Sequence, residues 1–380
     1  MSENYDCIVL GVGGFGSGVF YHLAKRGLSV LGIEQFGKGH NLGSSHGETR
    51  IIRKAYFEHP NYVPLAVRAY DLWRQLESET GQSLMRLSGV LLAGPAEGEA
   101  VGGAKISANQ HNLELEDLTP EEARNRFPGF SFSDEMAVVH EPDAGYLFVE
   151  QCVQAHIDGA LKLGGTLKTD ESALDWQSDG KTVTVLTEKA RYQAGRIVIT
   201  AGGWSAKILK DLALPLRVLR KPVFWLSVSQ DLKDNLSGLP AFLYELPEGV
   251  FYGLPGTDGT SLKLAEHSGG EFVDHPGLAN RELDPKDRTK ILAFSDRWIP
   301  LVEPAIRKHS VCFYTMTPDG HFIIDRHPIY ANVVFGAGFS GHGFKFTGVL
   351  GQALTDLVLE GSTSLPIEFL SLGRETLNAY

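Results

Sequence analysis

Tyr5-Asp6-Cys7-Ile8-Val9-Leu10-Gly11-Val12-Gly13-Gly14-Phe15-Gly16 is a short, nearly continuous apolar run that ends in a G-x-G-x-x-G turn. The run reads as a buried parallel strand. Ser17 to Arg26 follows with helical spacing, Val19, Leu23 and Ala24 on one face, and Gly27 stops it. Leu28-Ser29-Val30-Leu31-Gly32-Ile33 reads as a second strand, closed by Glu34, 21 residues after Gly13. Strand, glycine turn, helix, strand and acid together form a dinucleotide-binding fingerprint. Gly11, Gly13, Gly14 and Gly16 permit a tight turn and close approach to a pyrophosphate, whose charge the helix start receives. Glu34 can accept ribose hydroxyls and would repel a 2′-phosphate. With 43 glycines in the chain the motif alone says little. Its place between a strand and a helix carries the reading, which fits FAD and NAD equally.

The composition narrows the class. The 380 residues are 43% hydrophobic and 21% charged, too apolar for disorder and long enough to bury a core without disulfide or metal staples. Three cysteines, Cys7, Cys152 and Cys312, cannot form a disulfide framework. The net charge of −11 argues against nucleic acid or an anionic membrane as partner. Met1 to Asp6 lacks the features of a signal peptide, Leu377 to Tyr380 matches no targeting signal, and no apolar run is long enough for a membrane span. A cytoplasmic protein is expected. The 13 histidines show no metal-ligand spacing, so no metal is expected.

Further along, Gln35 to Gly47 is a polar, glycine-rich loop, and Thr49-Arg50-Ile51-Ile52-Arg53 has strand character. Helices are expected over Val63 to Glu79, from Pro120, over Val149 to Leu163 and over Thr347 to Leu359. Strands are expected at Arg86 to Leu92, at Gly165 to Leu167 and Val183 to Val185 (strands of a meander), and at Arg196 to Ala201. Arg217 to Val228 reads as alternating strands. Phe251 to Pro255, Ser261 to Ala265 and Asn332 to Gly338 complete the set. No repeat or flexible linker appears. The nucleotide-binding part is expected in three pieces, 1–85, 146–216 and 320–380, with 86–145 and 217–319 forming a substrate domain.

Several blocks resemble the family of monomeric sarcosine oxidase and N-methyltryptophan oxidase. They are Gly43-Ser44-Ser45-His46-Gly47-Glu48-Thr49-Arg50-Ile51-Ile52-Arg53, Tyr62-Val63-Pro64-Leu65, Tyr252 with Lys263, Cys312 to Pro318, His321 to Asp325, and Gly338-Phe339-Ser340-Gly341-His342-Gly343-Phe344-Lys345-Phe346. None is a general signature, but their order spans nearly the whole chain. The resemblance implies an α/β fold: a Rossmann-like, discontinuous FAD-binding domain plus a substrate domain with a large mixed β-sheet covered by helices.

It also implies site residues. Cys312, read alone, is more often a packed strand cysteine, and Lys308 nearby would favour a thiolate. The family attaches FAD covalently through a cysteine at this place. Lys263, read alone, is a snorkelling edge lysine; the resemblance makes it the cation that promotes reaction with O2. Arg53 and Lys345 would hold a substrate carboxylate. Arg50 and Arg53 on a strand would point to opposite faces, Arg50 toward the flavin and Arg53 toward substrate. His46, Tyr252, His267 and Tyr314 would line the flavin and substrate cavity, and either histidine could tune protonation of the substrate amine. Tyr62 joins the substrate group, and Leu243 and Leu254 would shape a side-chain pocket where a relative carries Met and Phe. Ser44, Thr49, Gly341 and Gly343 join Arg50, Lys345 and Cys312 on the cofactor side.

The implied activity is oxidation of a secondary amino acid such as sarcosine to an imine, with O2 reduced to H2O2, by a monomer. N-methyltryptophan, pipecolate or a glycated amino acid are alternative substrates. An NAD-dependent dehydrogenase would share the first forty residues without needing Cys312. A non-catalytic flavoprotein would keep only Gly11 to Glu34.

Overall fold

The computed structural model describes residues 4–233 and 236–378. Met1 to Glu3 and Ala379 to Tyr380, on which the readings of the two chain ends partly rest, lie outside the described residues.

The first strand, Asn4–Leu10, lies at the centre of an eight-stranded sheet, parallel to Val30–Ile33 on one side and to Arg191–Ile199 on the other. Its side chains alternate between two cores. Cys7 and Val9 meet the helices Gly14–Lys25, Val149–Lys162 and Thr347–Glu360, while Ile8 and Leu10 face a second cluster with Ile197 and Phe335. A strand covered on both faces is apolar throughout, which is why the sequence run was legible.

The helix after the turn packs tightly on that strand. A Cβ on Gly16 would lie 1.8 Å from the Gly11 carbonyl oxygen. The same helix crosses the C-terminal helix just as closely: a Cβ on Gly18 would meet the Thr347 oxygen at 2.4 Å, and one on Gly351 the Gly18 backbone at 2.7 Å. The two ends of the sequence therefore meet beside the motif.

A nine-stranded sheet forms the other large layer. Arg217–Val228, expected as alternating strands, is one continuous strand. It pairs with Ser261–Glu266, Glu271–Val273 and the long strand Val302–Met316. Gly249–Pro255, Ala241–Leu246 and Val90–Gly94 continue the sheet. The helix Pro285–Trp298 packs on one face and Glu99–His111 on the other. A three-stranded sheet of Thr49–Ile52, Gly145–Phe148 and Met85–Arg86 pairs with neither as a strand ladder but touches the nine-stranded one, where Lys263 Nζ donates to Thr49 O.

Two other expectations change. Thr166–Lys168 does not join the meander; it pairs in parallel with Val30–Ile33, while Ala173–Ser178, Val183–Thr187 and Arg191–Ile199 form the meander. The run from Arg86 to Leu92 is split between two sheets, at Gly89, where a Cβ would strike the His140 ring at 2.2 Å. No helix among the described residues is long and apolar enough to cross a membrane.

The close approach at Gly16 is testable against its neighbour. Gly16→Ala should lower stability by about 3 kcal/mol or more, whereas Gly13→Ala, whose Cβ meets nothing within 4 Å, should cost under about 1 kcal/mol in denaturant melts. Equal losses would mean the helix and strand are not held by this contact.

Candidate active site

One cavity of about 400 Å³ runs beneath the glycine turn. Its wall takes in Gly11 to Phe15, Glu34 and Ser44 at one part, and Arg50, Cys312, Arg53 and Lys345 at another. Glu34 is fixed by two backbone donors, Val12 N at 2.8 Å and Phe36 N at 3.1 Å. His40 Nε2 also lies 3.4 Å from Oε1, and the carboxylate still keeps lone pairs for ribose hydroxyls. The helix start has no cap from Gly13 itself and no acid in its first turn, only Gly14 N is taken up by the Ser45 hydroxyl among the contacts described, and the space a Gly13 Cβ would enter is open. A phosphate fits such a helix end. These features accept a dinucleotide, and Cys312 Sγ on the same wall places a thiol within the same cavity.

Arg50 ties three segments together. Its guanidinium donates to Thr49 O (2.9 Å), Ser44 O (3.0 Å) and Cys312 Sγ (3.2 Å). The cation beside the thiol is therefore Arg50. Lys308, four residues from Cys312 on an extended strand, reaches Glu48 instead, at 3.0 Å.

Behind Arg50 lies Lys263, fully buried, its Nζ donating to Gly47 O and Thr49 O, each at 2.7 Å. Burial first, and the Arg50 charge second, push its pKa well below the usual lysine range. His46 and His267 are both held down to about 3, mainly by burial, with Arg50 and Lys221 respectively the leading charges. Both imidazoles therefore favour the neutral form at pH 7.

Arg53 follows the strand Thr49–Ile52 and is buried. It donates to Glu58 at 2.5 Å and to Ala55 O at 2.7 Å, and lies over the rings of Tyr56 and Phe57. Lys345 donates to the Tyr56 hydroxyl (3.2 Å) and to His342 O (2.8 Å). Tyr56 thus stands between the two cations. Burial raises the Glu58 carboxyl, but Arg53, His342 and Lys345 outweigh it and hold the group at about 2. Lys345 falls to about 7 through burial and then the repulsion of Arg53, against the pull of Glu58.

Leu243, Tyr252, His267 and Tyr314 line the cavity, with His267 Nδ1 3.3 Å from the Tyr314 hydroxyl. Gly341 and Gly343 line it too, and a Gly341 Cβ would strike the Tyr314 ring at 2.4 Å. Gly16, His46, Thr49, Lys263, Tyr62 and Leu254 stand behind the wall. Tyr62 is fully buried against Tyr56 and Phe322, and its hydroxyl accepts from Phe322 N at 3.4 Å, so it supports the wall and does not reach the cavity. Leu254 lies opposite Lys263 in the sheet and is fully buried. Glu58 and Ser45, whose hydroxyl accepts from Gly14 N at 3.1 Å, were not singled out from sequence. Their only signal is proximity to Arg53 and to the glycine loop. Among the described residues no group of acids, histidines and cysteines could hold a metal.

Comparison with known proteins agrees with this cavity. The FAD dependent oxidoreductase family matches residues 6–357. Monomeric sarcosine oxidase of Bacillus sp. (strain NS-129) is 39% identical over 99% of this chain and 98% of its own. N-methyl-L-tryptophan oxidase of Yersinia pestis (strain Pestoides F) is 34% identical over 98% and 99%. Among solved structures, NikD, an amino acid oxidase of nikkomycin biosynthesis, superposes with a TM-score of 0.85 at 23% identity, covering 97% of this chain and 98% of its own. Glycine oxidase from Geobacillus kaustophilus gives 0.82 at 20% identity, covering 98% and 99%. The chain belongs to the FAD dependent oxidoreductase family. Its cofactor is FAD and it is an FAD-dependent amine oxidase.

The buried histidines give the protein an acid limit. His22, His46, His156, His267 and His342 are all held at about 3 to 4 in the folded state, mainly by burial, against 6.5 when unfolded. A depressed folded pKa means the unfolded chain takes up protons first as pH falls. Stability from these groups is complete above pH 6.5 and should be lost progressively down to about pH 3 to 4. Denaturant midpoints across that range should fall, and a flat profile would contradict the burial of these rings.

Proposed function

We propose that this enzyme oxidises a small secondary amino acid, with an N-methyl amino acid such as sarcosine as the leading substrate, and acts as a monomer. The observation that carries this reading is the pair of buried cations, Arg53 and Lys345, on the wall that also holds Cys312. An amino-acid carboxylate is the anion such a pair accepts, the guanidinium in a forked contact and the ammonium as a compact charge. Lys345, near neutrality without a ligand, gains its proton fully when a carboxylate arrives, because an opposite charge favours the charged form.

The same cations set the state of the amine. Positive charge beside a bound ammonium favours loss of its proton, and the neutral His267 adds no opposing charge. FAD held by the glycine turn, Glu34 and Cys312 would supply the two-electron acceptor for a hydride equivalent from the C–H beside the neutral amine, leaving a C=N bond, and in its reduced form would pass two electrons and two protons to O2 to give H2O2. The imine hydrolyses, giving glycine and formaldehyde from sarcosine. Leu243, Tyr252 and Tyr314 bound the side-chain space and exclude water. Cys312 is assigned as the covalent attachment point, with Arg50 orienting its sulfur. Lys263 is assigned to the reaction with O2: negative charge developing beside it restores its proton, so the cation forms where it is needed.

A panel of sarcosine, N-methyltryptophan, pipecolate and a glycated amino acid, with H2O2 release as the readout, tests the substrate class. Turnover of none of them would remove the proposal. In Cys312→Ser, yellow colour should no longer follow the polypeptide through acid precipitation; colour that stays would remove the thioether assignment. Lys263→Met should slow reoxidation by O2 about 10²- to 10³-fold while anaerobic reduction by the amine changes little. Stopped-flow traces of the two half-reactions separate these outcomes.

A further inference from the structure

Lys221 is a buried cation that none of the steps above uses. It lies on the strand Arg217–Val228, directly across the ladder from Cys312. Opposite residues of an antiparallel pair share a face, so the side chain points toward the site. Only 2% of the residue is exposed. Its Nζ donates to three carbonyls in a row: His267 O at 2.8 Å, Ser268 O at 2.7 Å and Gly269 O at 2.9 Å.

The turn that brings these three carbonyls together winds in an unusual sense. Gly269 and Gly270 have φ of +60° and +107°, in the region that favours glycine. A Cβ on Gly270 would meet the Lys221 stem at 3.1 Å. Lysine and turn are thus fitted to one another. The first of the three residues is His267, whose ring lines the cavity.

Among the described residues no carboxylate pairs with the Lys221 ammonium. Glu266, at the end of the neighbouring strand, pairs with Lys290 at 2.5 Å, and Asp287 pairs with Arg220 at 2.6 Å. The Tyr314 ring lies 5.0 Å from Nζ.

We propose that Lys221 is a positioning residue: its ammonium gathers the 267–269 turn and so fixes the His267 ring against the substrate end of the cavity. An ammonium has three N–H donors for three acceptors, whereas a neutral amine has two. Burial, with Lys290 adding to it, lowers Lys221 to about 8, against the raising influence of Glu266, Cys312 and Asp287. His267 is neutral at that pH, being held at about 3. The turn is therefore fully clamped below about pH 8 and loses one bond above it.

The inference rests on the amine-oxidase reading only for its kinetic arm. The first measurement is hydrogen exchange in the holoenzyme. The peptide over residues 266–272, normalised to the Gly249–Pro255 strand, should exchange faster as pH rises through about 8 in the unmodified protein. A ratio that stays flat overturns the proposal, whatever the substrate proves to be. The second is Lys221→Gln at pH 7. It should speed exchange in that peptide alone and raise KM for the amine about tenfold, with kcat within about twofold. In a His267→Ala background the added effect on KM should vanish. A KM rise of the same size in that background overturns the route through His267. Loss of thiol-linked colour with unchanged exchange would assign Lys221 to Cys312 and overturn it as well.

Discussion

Buried basic side chains held by backbone oxygen are the constraint around which this site is built. Arg50 donates to the carbonyls of Ser44 and Thr49, Lys263 to those of Gly47 and Thr49, and Lys221 to three consecutive ones. Carbonyl dipoles satisfy the N–H groups without cancelling the charge, and a desolvated charge without a counter-ion is costly. A chain tolerates that cost when an anion is to be met there. Arg53 is the exception that has an acid, Glu58.

The loop from Ser44 to Thr49 makes this arrangement possible. Its carbonyls serve two basic side chains at once, Arg50 and Lys263, and Glu48 between them has a left-handed backbone with φ of +70°. Side chains other than glycine adopt that conformation at a cost, and such strain gathers where geometry is functional. The Glu48 carboxylate compensates by accepting from Trp225 Nε1, the Thr257 hydroxyl and Lys308. Trp225 lies opposite Lys263 in the sheet, so the strained loop and the buried lysine are braced by the same strand pair.

Much of this was legible in the sequence, and for physical reasons. The strand Asn4–Leu10 and its glycine turn declare themselves because a strand covered on both faces must be apolar and a close helix must meet glycine. Glu34 was readable from its spacing, since strand and helix lengths fix it. Partnerships between distant residues were not readable. Lys308 lies four residues from Cys312 yet reaches Glu48, while Arg50, 262 residues away, touches the sulfur. Glu58 and Lys221 carry no local pattern, because their meaning comes from groups that only the folded chain brings near. Thr166–Lys168 has the look of any short strand, and its parallel pairing depends on Val30–Ile33 being free at the sheet edge.

The crossing of the first and last helices bears on how the protein is made. Gly341 to Lys345 complete the cavity wall, and the helix that follows locks against Gly18. A nascent chain still threading this helix through the ribosome has a glycine turn but no closed pocket. The cavity wall is therefore complete only once the last helix is free to lock against Gly18.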